Sequence, residues 1–530
     1  MATANQLYQV RYGNQTTPGN VAEVQSIPAP VGGWNARDSL ANMDPMDAVT
    51  MVNLWPHVSS VQLRGGFSRY ATGLSGEVQS LLTYNGAATS ELWAFTASGD
   101  LFNASAAGAV PAATLSSLGS GYWEYSNIAT AGGNYMVAVD GVDPLLLYNG
   151  TSWASITGVS TPAITGVTTS TLNNVCLHKN RLWFLQKNTL KAWYLPTSSI
   201  AGAASAFDLS AVARKGGYLV DVDTWTIDAG YGVDDNLVFI TSEGECIVYA
   251  GTDPASASTW SLIGVWQLGA PIGHRCMLKW AGDLLILTYD GLLPLASALQ
   301  SSRLDPRVAL SDKIQGAISA ATDGVSNAPA ARGWEVFYYA RQNALWINVP
   351  VATDQEQQYA MNTITKSWTQ FTGWPSNCWA LYNDKPYFGG PSYIGNAWDS
   401  TYADNGAAIP TQCIQAFNYF DTRGVKKYFT RIRPSIFTDG VPAISVGMNV
   451  DFDLSNTTAP LSFVTPTYGL WDTATWDSGI WGQGLVVTNA WLGVTGIGYC
   501  GGIQMQTASM GMQIQWASTD VVFQSGWSGI

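Results

Sequence analysis

Leu92-Trp93-Ala94-Phe95 followed by Ser98-Gly99-Asp100-Leu101-Phe102 reads as a strand, a tight turn and a second strand, and the phrase returns along the chain. It recurs at Tyr135–Val139 with Leu145–Tyr148, at Arg181–Leu185, and at Asn236–Ile240 with Glu243-Gly244-Glu245. Further copies are Asp283–Leu287 with Asp290-Gly291, and Ala344–Asn348. The apolar centres fall about 40 to 60 residues apart, the period of propeller blades and related β-arrays. One such hairpin cannot bury its apolar face alone, so the copies must pack on one another. Six full copies and a seventh candidate near Pro386 predict an all-β fold built on a β-propeller of six or seven blades.

A chain of 530 residues exceeds one hydrophobic core, so two or three domains are expected. Only 12% of residues are charged, while 54 Gly, 23 Trp and 24 Tyr suit short strands joined by tight turns. So little charge at this size points to surface covered by other subunits. The net charge of −13 argues against a phosphate-gripping groove and suits a wall that nucleic acid passes without sticking. Six scattered cysteines without a C-x-x-C read as small buried hydrophobes of a protein assembled in a reducing cytoplasm. The opening Met1–Gln6 lacks the basic and apolar regions of a secretory signal, so export by that route is not expected. The longest apolar stretch, Leu284–Leu299, is interrupted by Asp290, Gly291 and Pro294, so no membrane span is expected.

Three regions follow from punctuation. Residues 1–75 are an irregular segment broken by Pro28, Pro30, Gly32 and Gly33. Within it Asp44-Pro45 predicts a capped short helix ending before Pro56, and the segment is expected to belong with the C-terminal domain. Residues 76–400 carry the repeat, with hairpin signals at Asn85-Gly86, Asn149-Gly150 and Asn383-Asp384. Residues 401–530 lose it and show alternating strands such as Tyr428–Arg433 and Ala443–Val450, which predict a β-sandwich. Trp471, Trp476 and Trp481 match neither the strand nor the helix period and read as stacked turns.

Catalytic motifs are scarce. Only His57, His178 and His274 could serve a Ser-His-Asp or Cys-His mechanism, and no G-x-S-x-G, phosphate loop or H-E-x-x-H is present. Cys176-Leu177-His178 and His274-Arg275-Cys276 are mirrored pairs that neighbouring strands could bring together around zinc, against the plainer reading of two buried cysteines. Asp221 with Asp223, Asp234 with Asp235, and Asp451 with Asp453 are the close carboxylates that glycoside hydrolysis would need. Thr252–Trp260 approximates a sialidase Asp-box but lacks its central Gly, and Asp451–Ser455 opens like a calcium loop without the Gly and distal Glu; both read as turns. No catalytic, metal or cofactor residue is assigned. The one basic cluster, Arg423, Lys426, Lys427, Arg431 and Arg433, is the candidate contact with DNA phosphates or with an acidic partner subunit, against a solvated strand face.

Several ordered motifs resemble a known family. They include Ile27–Leu40, Met43–Val49, Asn53–Pro56 and Leu63–Gly66, then Thr241–Glu245, Gly251–Pro254, Ala298–Ser301 and Ser311–Gln315. Met361–Thr365, Phe371–Trp374 and Trp516–Asp520 complete the series, which runs over nearly the whole chain. Together they are similar to phage structural proteins, the best-described being the nozzle, or tail tubular protein B, of short-tailed double-stranded DNA phages. The resemblance implies a virion subunit of a ring of six at the distal tail, a propeller joined to a platform domain. Such a ring continues the DNA channel below the adaptor ring and carries tail fibres, without catalytic residues. The alternatives are another hub or DNA-retention protein of the virion, and a propeller that binds or hydrolyses glycans.

Overall fold

The computed structural model describes residues 22–526 apart from 88, 229–232, 300–305, 326, 353–354, 456–457 and 464–484. Seven small antiparallel sheets stand around one axis. The first strands of successive sheets, Val78–Asn85, Glu124–Thr130, Leu172–His178, Leu219–Asp228, Met277–Trp280, Glu335–Tyr339 and Cys378–Tyr382, each touch the next, and the last returns to the first. We number these blades 1 to 7 in that order. Six are continuous in the chain, and blade 7 is completed by Gly66–Thr72 paired antiparallel with Tyr393–Asp399. The propeller therefore reaches back beyond residue 76, and a strand from before blade 1 closes the ring.

The repeated phrase is the second strand of each blade: Ser90–Thr96, Gly133–Val139, Arg181–Gln186, Val233–Thr241, Asp283–Thr288, Ala344–Ala352 and Lys385–Gly389. Their central residues are apolar because both faces are covered by neighbouring blades. Leu82, Phe95 and Trp123 pack between blades 1 and 2, and Trp183, Phe239 and Trp260 between blades 3 and 4. The turns obey backbone sterics. Gly99 has φ +76° and a Cβ there would lie 2.2 Å from the Leu118 carbonyl oxygen. Asn383 and Asp384 both take positive φ, as a two-residue hairpin turn requires.

The second body is a sandwich. One sheet centres on Lys427–Thr438, flanked by Ile514–Ser525 on one side and by Val486–Thr488 and Leu492–Gly498 on the other. Ala22–Pro28 and Val61–Leu63 extend it beyond Ile514–Ser525. The facing sheet runs Asp47–Val52, Ile409–Gln415, Gly501–Ser509, Ile444–Val450. Alternate residues of both, including Met51, Cys413, Phe429, Ile432, Met448, Met505 and Phe523, form a single core between them. Val52 also pairs with Gln370 of blade 6, so the second sheet continues into the propeller.

The helix expected after Asp44 is not formed. Asp44 does cap locally, accepting from the Met46 amide at 2.8 Å, but Asp47–Val52 and Leu54–Pro56 are strands. Val49, Thr50 and Val52 are β-branched, and Ile409–Gln415 supplies the ladder that fixes them as a strand. The stacked-turn reading of Trp471, Trp476 and Trp481 lies outside the described residues.

Candidate functional site: the propeller axis and the basic edge of the platform

Because second strands are buried between blades, the first strands alone face the axis, and they carry the polar residues that interrupt the apolar pattern. Arg275, just before the first strand of blade 5, extends across the axis. Its Nε donates to Glu124 at 2.9 Å, its Nη2 to Ser80 Oγ at 2.8 Å and the Trp123 carbonyl at 3.0 Å, and its Nη1 to Glu335 at 3.4 Å. Glu335 in turn accepts from the Trp379 amide at 3.0 Å. One guanidinium thus ties blades 1, 2, 5 and 6 directly and blade 7 through Glu335. Burial pushes the Glu335 carboxyl up to about 7, with Arg275 opposing the shift. Burial pulls on Arg275 as well, yet Glu124 and Glu335 hold its pKa above the ordinary guanidinium value.

This bolt stops the axis. On one side lies a space of only about 10 Å³ under Tyr122, Arg332 and Trp334, no more than a single water needs. On the other lies a cavity of about 410 Å³ reached by all seven first strands. Its lining includes Asp221 and Asp223, so the structure brings that sequence pair to the axis. Asp221 accepts from Asn174 at 2.8 Å and from the Val222 and Met277 amides at 2.8 and 3.2 Å, with the Cys276 thiol at 3.7 Å. Burial, with Asp223 and Glu124 adding to it, raises its pKa well above the carboxylate range. Asp223 faces Lys279 at 2.7 Å.

The mirrored cysteine–histidine pairs do not form a metal centre. Cys176 is buried between blades 3 and 4, whereas Cys276 belongs to the core of blades 4 to 6. His178 Nδ1 meets Thr224 Oγ1 at 3.1 Å, and burial lowers His178 to about 4 and His274 to about 3, so both rings are neutral. Among the described residues no group of three or more His, Cys, Asp or Glu is placed to hold a metal ion. All six cysteines are free and buried. Thr252–Trp260 is a turn between two strands of blade 4, its Ser256 amide donating to the Asp253 carbonyl at 3.1 Å. Asp451 accepts from the Tyr499 amide at 2.6 Å and Asp453 from the Ser455 amide at 2.9 Å, which makes that pair a turn as well. Asp235 accepts from Thr226 Oγ1 at 2.8 Å within blade 4.

The basic cluster divides. Lys427 is fully buried, and its ammonium donates to the carbonyls of Thr422 at 2.6 Å, Val425 at 3.1 Å and Tyr499 at 3.0 Å. All three of its protons are used, so it is a structural residue and not a partner contact. Arg433 pairs with Asp520 at 2.5 Å and lies 4.8 Å from the Trp491 ring centre. Arg423, Lys426 and Arg431 are exposed, the first two beside the rings of Tyr419 and Tyr499. Val486, Val487, Trp491, Ile497 and Tyr499 are exposed along the same sheet edge.

The residues that sequence reasoning missed are Glu124, Arg275, Lys279 and Glu335. In the sequence Arg275 shows only as the spacer of a His-x-Cys pair. The usable signal is a charged residue in or just before the strand preceding the repeated phrase in blades 2, 4, 5 and 6.

Among the described residues no helix is long and apolar enough to cross a membrane. No family profile and no curated protein matches the chain. Solved structures similar to it are β-propeller proteins. "YCF48 bound to D1 peptide" aligns at TM-score 0.36 and 11% identity, covering 63% of this chain and 95% of that one. The Swd1 β-propeller domain from Myceliophteria thermophila aligns at TM-score 0.38 and 11% identity, covering 62% and 99%. An exo-β-1,3-galactanase from Phanerochaete chrysosporium aligns at TM-score 0.25 and 7% identity, covering 74% and 95%. The propeller itself rests on the sheet order and ring closure described above.

Proposed function

We propose that this chain is a structural virion protein, a subunit that assembles with copies of itself into a ring, of six by the family resemblance. The ring would form the distal tail nozzle of a short-tailed phage, sit below the adaptor ring and carry tail fibres. The observation that carries the proposal is the platform edge. There Trp491, Ile497 and Tyr499 are exposed along the same end of the edge as Arg423, Lys426 and Arg431, with Val486 and Val487 exposed farther along it, on a chain of net charge −13. Large apolar side chains left exposed along one sheet edge are the kind of surface that another protein covers. A basic patch on an acidic molecule is complementary to the rest of a second copy, which favours head-to-tail closure into a ring. The bolted axis adds a constraint: DNA passing such a ring runs between subunits, not through a propeller.

The test is the assembly state of the purified chain by mass photometry and negative-stain microscopy. A closed ring is expected, dissociating when Arg423, Lys426 and Arg431 are changed together to Glu. A monomer at all accessible concentrations, or rings indifferent to the charge reversal, would overturn the proposal.

A further inference from the structure

The axial cavity is a blind funnel. Its floor is the Arg275, Glu124 and Glu335 bolt, and its mouth is marked by Lys279, 52% exposed, and Leu381, 44% exposed. Between them the wall presents acceptors on Glu124, Asp223 and Glu335 and donors on Asn174, Ser126 and Lys279. Tyr125, Phe337 and Trp379 complete the lining.

The charged groups inside are already engaged with one another. Arg275 lies between Glu124 and Glu335, Lys279 pairs with Asp223, and burial pushes the Asp221 carboxyl well above its ordinary value while its oxygens accept from Asn174 and the Val222 and Met277 amides. A further ion entering would disturb paired groups at a cost of desolvation. A metal ion lacks a converging donor set among the described residues. A neutral ligand able both to donate and to accept meets no such penalty. Planar carboxylate, amide and guanidinium groups bind neighbouring hydroxyls through paired hydrogen bonds, and aromatic walls cover the C–H faces between them. The volume of about 410 Å³ lies within the range of small-ligand pockets.

We propose that the axial funnel binds a neutral polyhydroxylated ligand, a saccharide of one or two units, between the Asp223–Lys279 pair at its mouth and the Arg275 bolt at its floor. Binding without cleavage follows from the state of Asp221: its oxygens are hydrogen-bonded within the wall, which leaves it no path to a glycosidic oxygen. The proposal stands apart from the assembly reading and survives its failure.

Calorimetric titration with glucose, galactose, N-acetylglucosamine and lactose tests it on the full chain. At least one should give a saturable isotherm near millimolar affinity, about −4 kcal/mol, as expected for a small rigid ligand. Lys279→Met should weaken it about tenfold, and Leu381→Trp, which narrows the mouth without touching the bolt, should abolish it. Leu381 is exposed, so that variant leaves the fold unchanged, which circular dichroism checks. No saturable isotherm to about 50 mM with any of the four sugars would overturn the proposal. So would unchanged affinity in both variants, or binding of putrescine in place of the sugars.

Discussion

Arg64 is fully buried where the two bodies meet, and its replacement by Met gives a sharp test of how they are joined. The guanidinium is 0% exposed. Its Nε donates to Asn53 Oδ1 at 2.8 Å, its Nη1 to the Gly65 carbonyl and Asp404 Oδ1 at 2.8 and 2.9 Å, and its Nη2 to the Thr372 carbonyl and Asp404 Oδ2 at 2.7 and 2.6 Å. All five N–H donors are therefore used. The ring of Trp374 lies 4.6 Å from the guanidinium carbon. Asn53 belongs to the platform segment, Thr372 ends blade 6, and Asp404 lies on the chain returning to the platform. Burial pulls the Arg64 pKa down and Asp404 works against it, which is how a buried charge survives only with its partner.

Arg64→Met keeps the volume of the stem and removes the charge. It leaves Asp404, whose side chain is 9% exposed, as an uncompensated buried carboxylate, and strips the Asn53, Gly65 and Thr372 oxygens of a donor. Deleting one partner of a buried pair costs about 3–5 kcal/mol. The stranded oxygens keep the value at the upper end, since each unsatisfied buried acceptor costs about 1–3 kcal/mol and the losses overlap. Urea titration followed by tryptophan fluorescence reads the change as a shift in midpoint at constant slope. Adding Asp404→Leu to Arg64→Met should return a substantial part of the loss, because the stranded charge is then gone. A loss below about 1 kcal/mol for Arg64→Met, or no recovery in the double variant, would refute the reasoning.

Other perturbations separate the roles assigned above. The Glu335 carboxyl holds its proton more tightly folded than unfolded, so its contribution to stability is complete below the ordinary carboxylate value and is lost as pH rises through about 7. Glu335→Gln should flatten the decline in urea midpoint between about pH 5 and pH 8, and an unchanged slope would contradict the assignment. Lys427→Met leaves three carbonyls without a donor and should cost about 1.5–3 kcal/mol, whereas Arg431→Ala at the exposed position should stay within about 0.5 kcal/mol in the same titration. The six buried thiols should resist a thiol-specific disulfide reagent in the native state and all react in denaturant. Rapid native labelling of any one would show that its site opens locally.

The propeller was legible because the strand that repeats is the one buried on both faces. A continuous apolar run between turn residues survives in the sequence whatever its neighbours are. The axis was not legible for the opposite reason. Arg275 meets Glu124 across 151 positions and Glu335 across 60, so nothing local records the pairing. The absent helix at Asp44 follows the same rule: Asp44 caps as its residue type implies, but the pairing of Asp47–Val52 with Ile409–Gln415 sets the conformation. Lys427 could have been sorted by parity. It shares a face with Phe429, whose ring lies in the sandwich core, so it had to be buried too. The register shift between Phe429 and Arg431 then turns Arg431 outward and Ile432 inward, a step no strict alternation predicts.

The ring closure and the domain junction are one device. Gly66–Thr72 closes blade 7, and it begins two residues after the buried Arg64 that binds the platform side. A propeller whose first and last blades are joined by a strand cannot open without releasing that strand. Here, releasing it would also pull on the Arg64–Asp404 pair and on Val61–Leu63, which pairs with Ile514–Ser525 in the sandwich. The sheet running from blade 6 through Val52 into the platform fixes the same junction by a second route. Two independent routes make independent motion of the bodies costly, because each requires broken backbone pairing or a stranded charge.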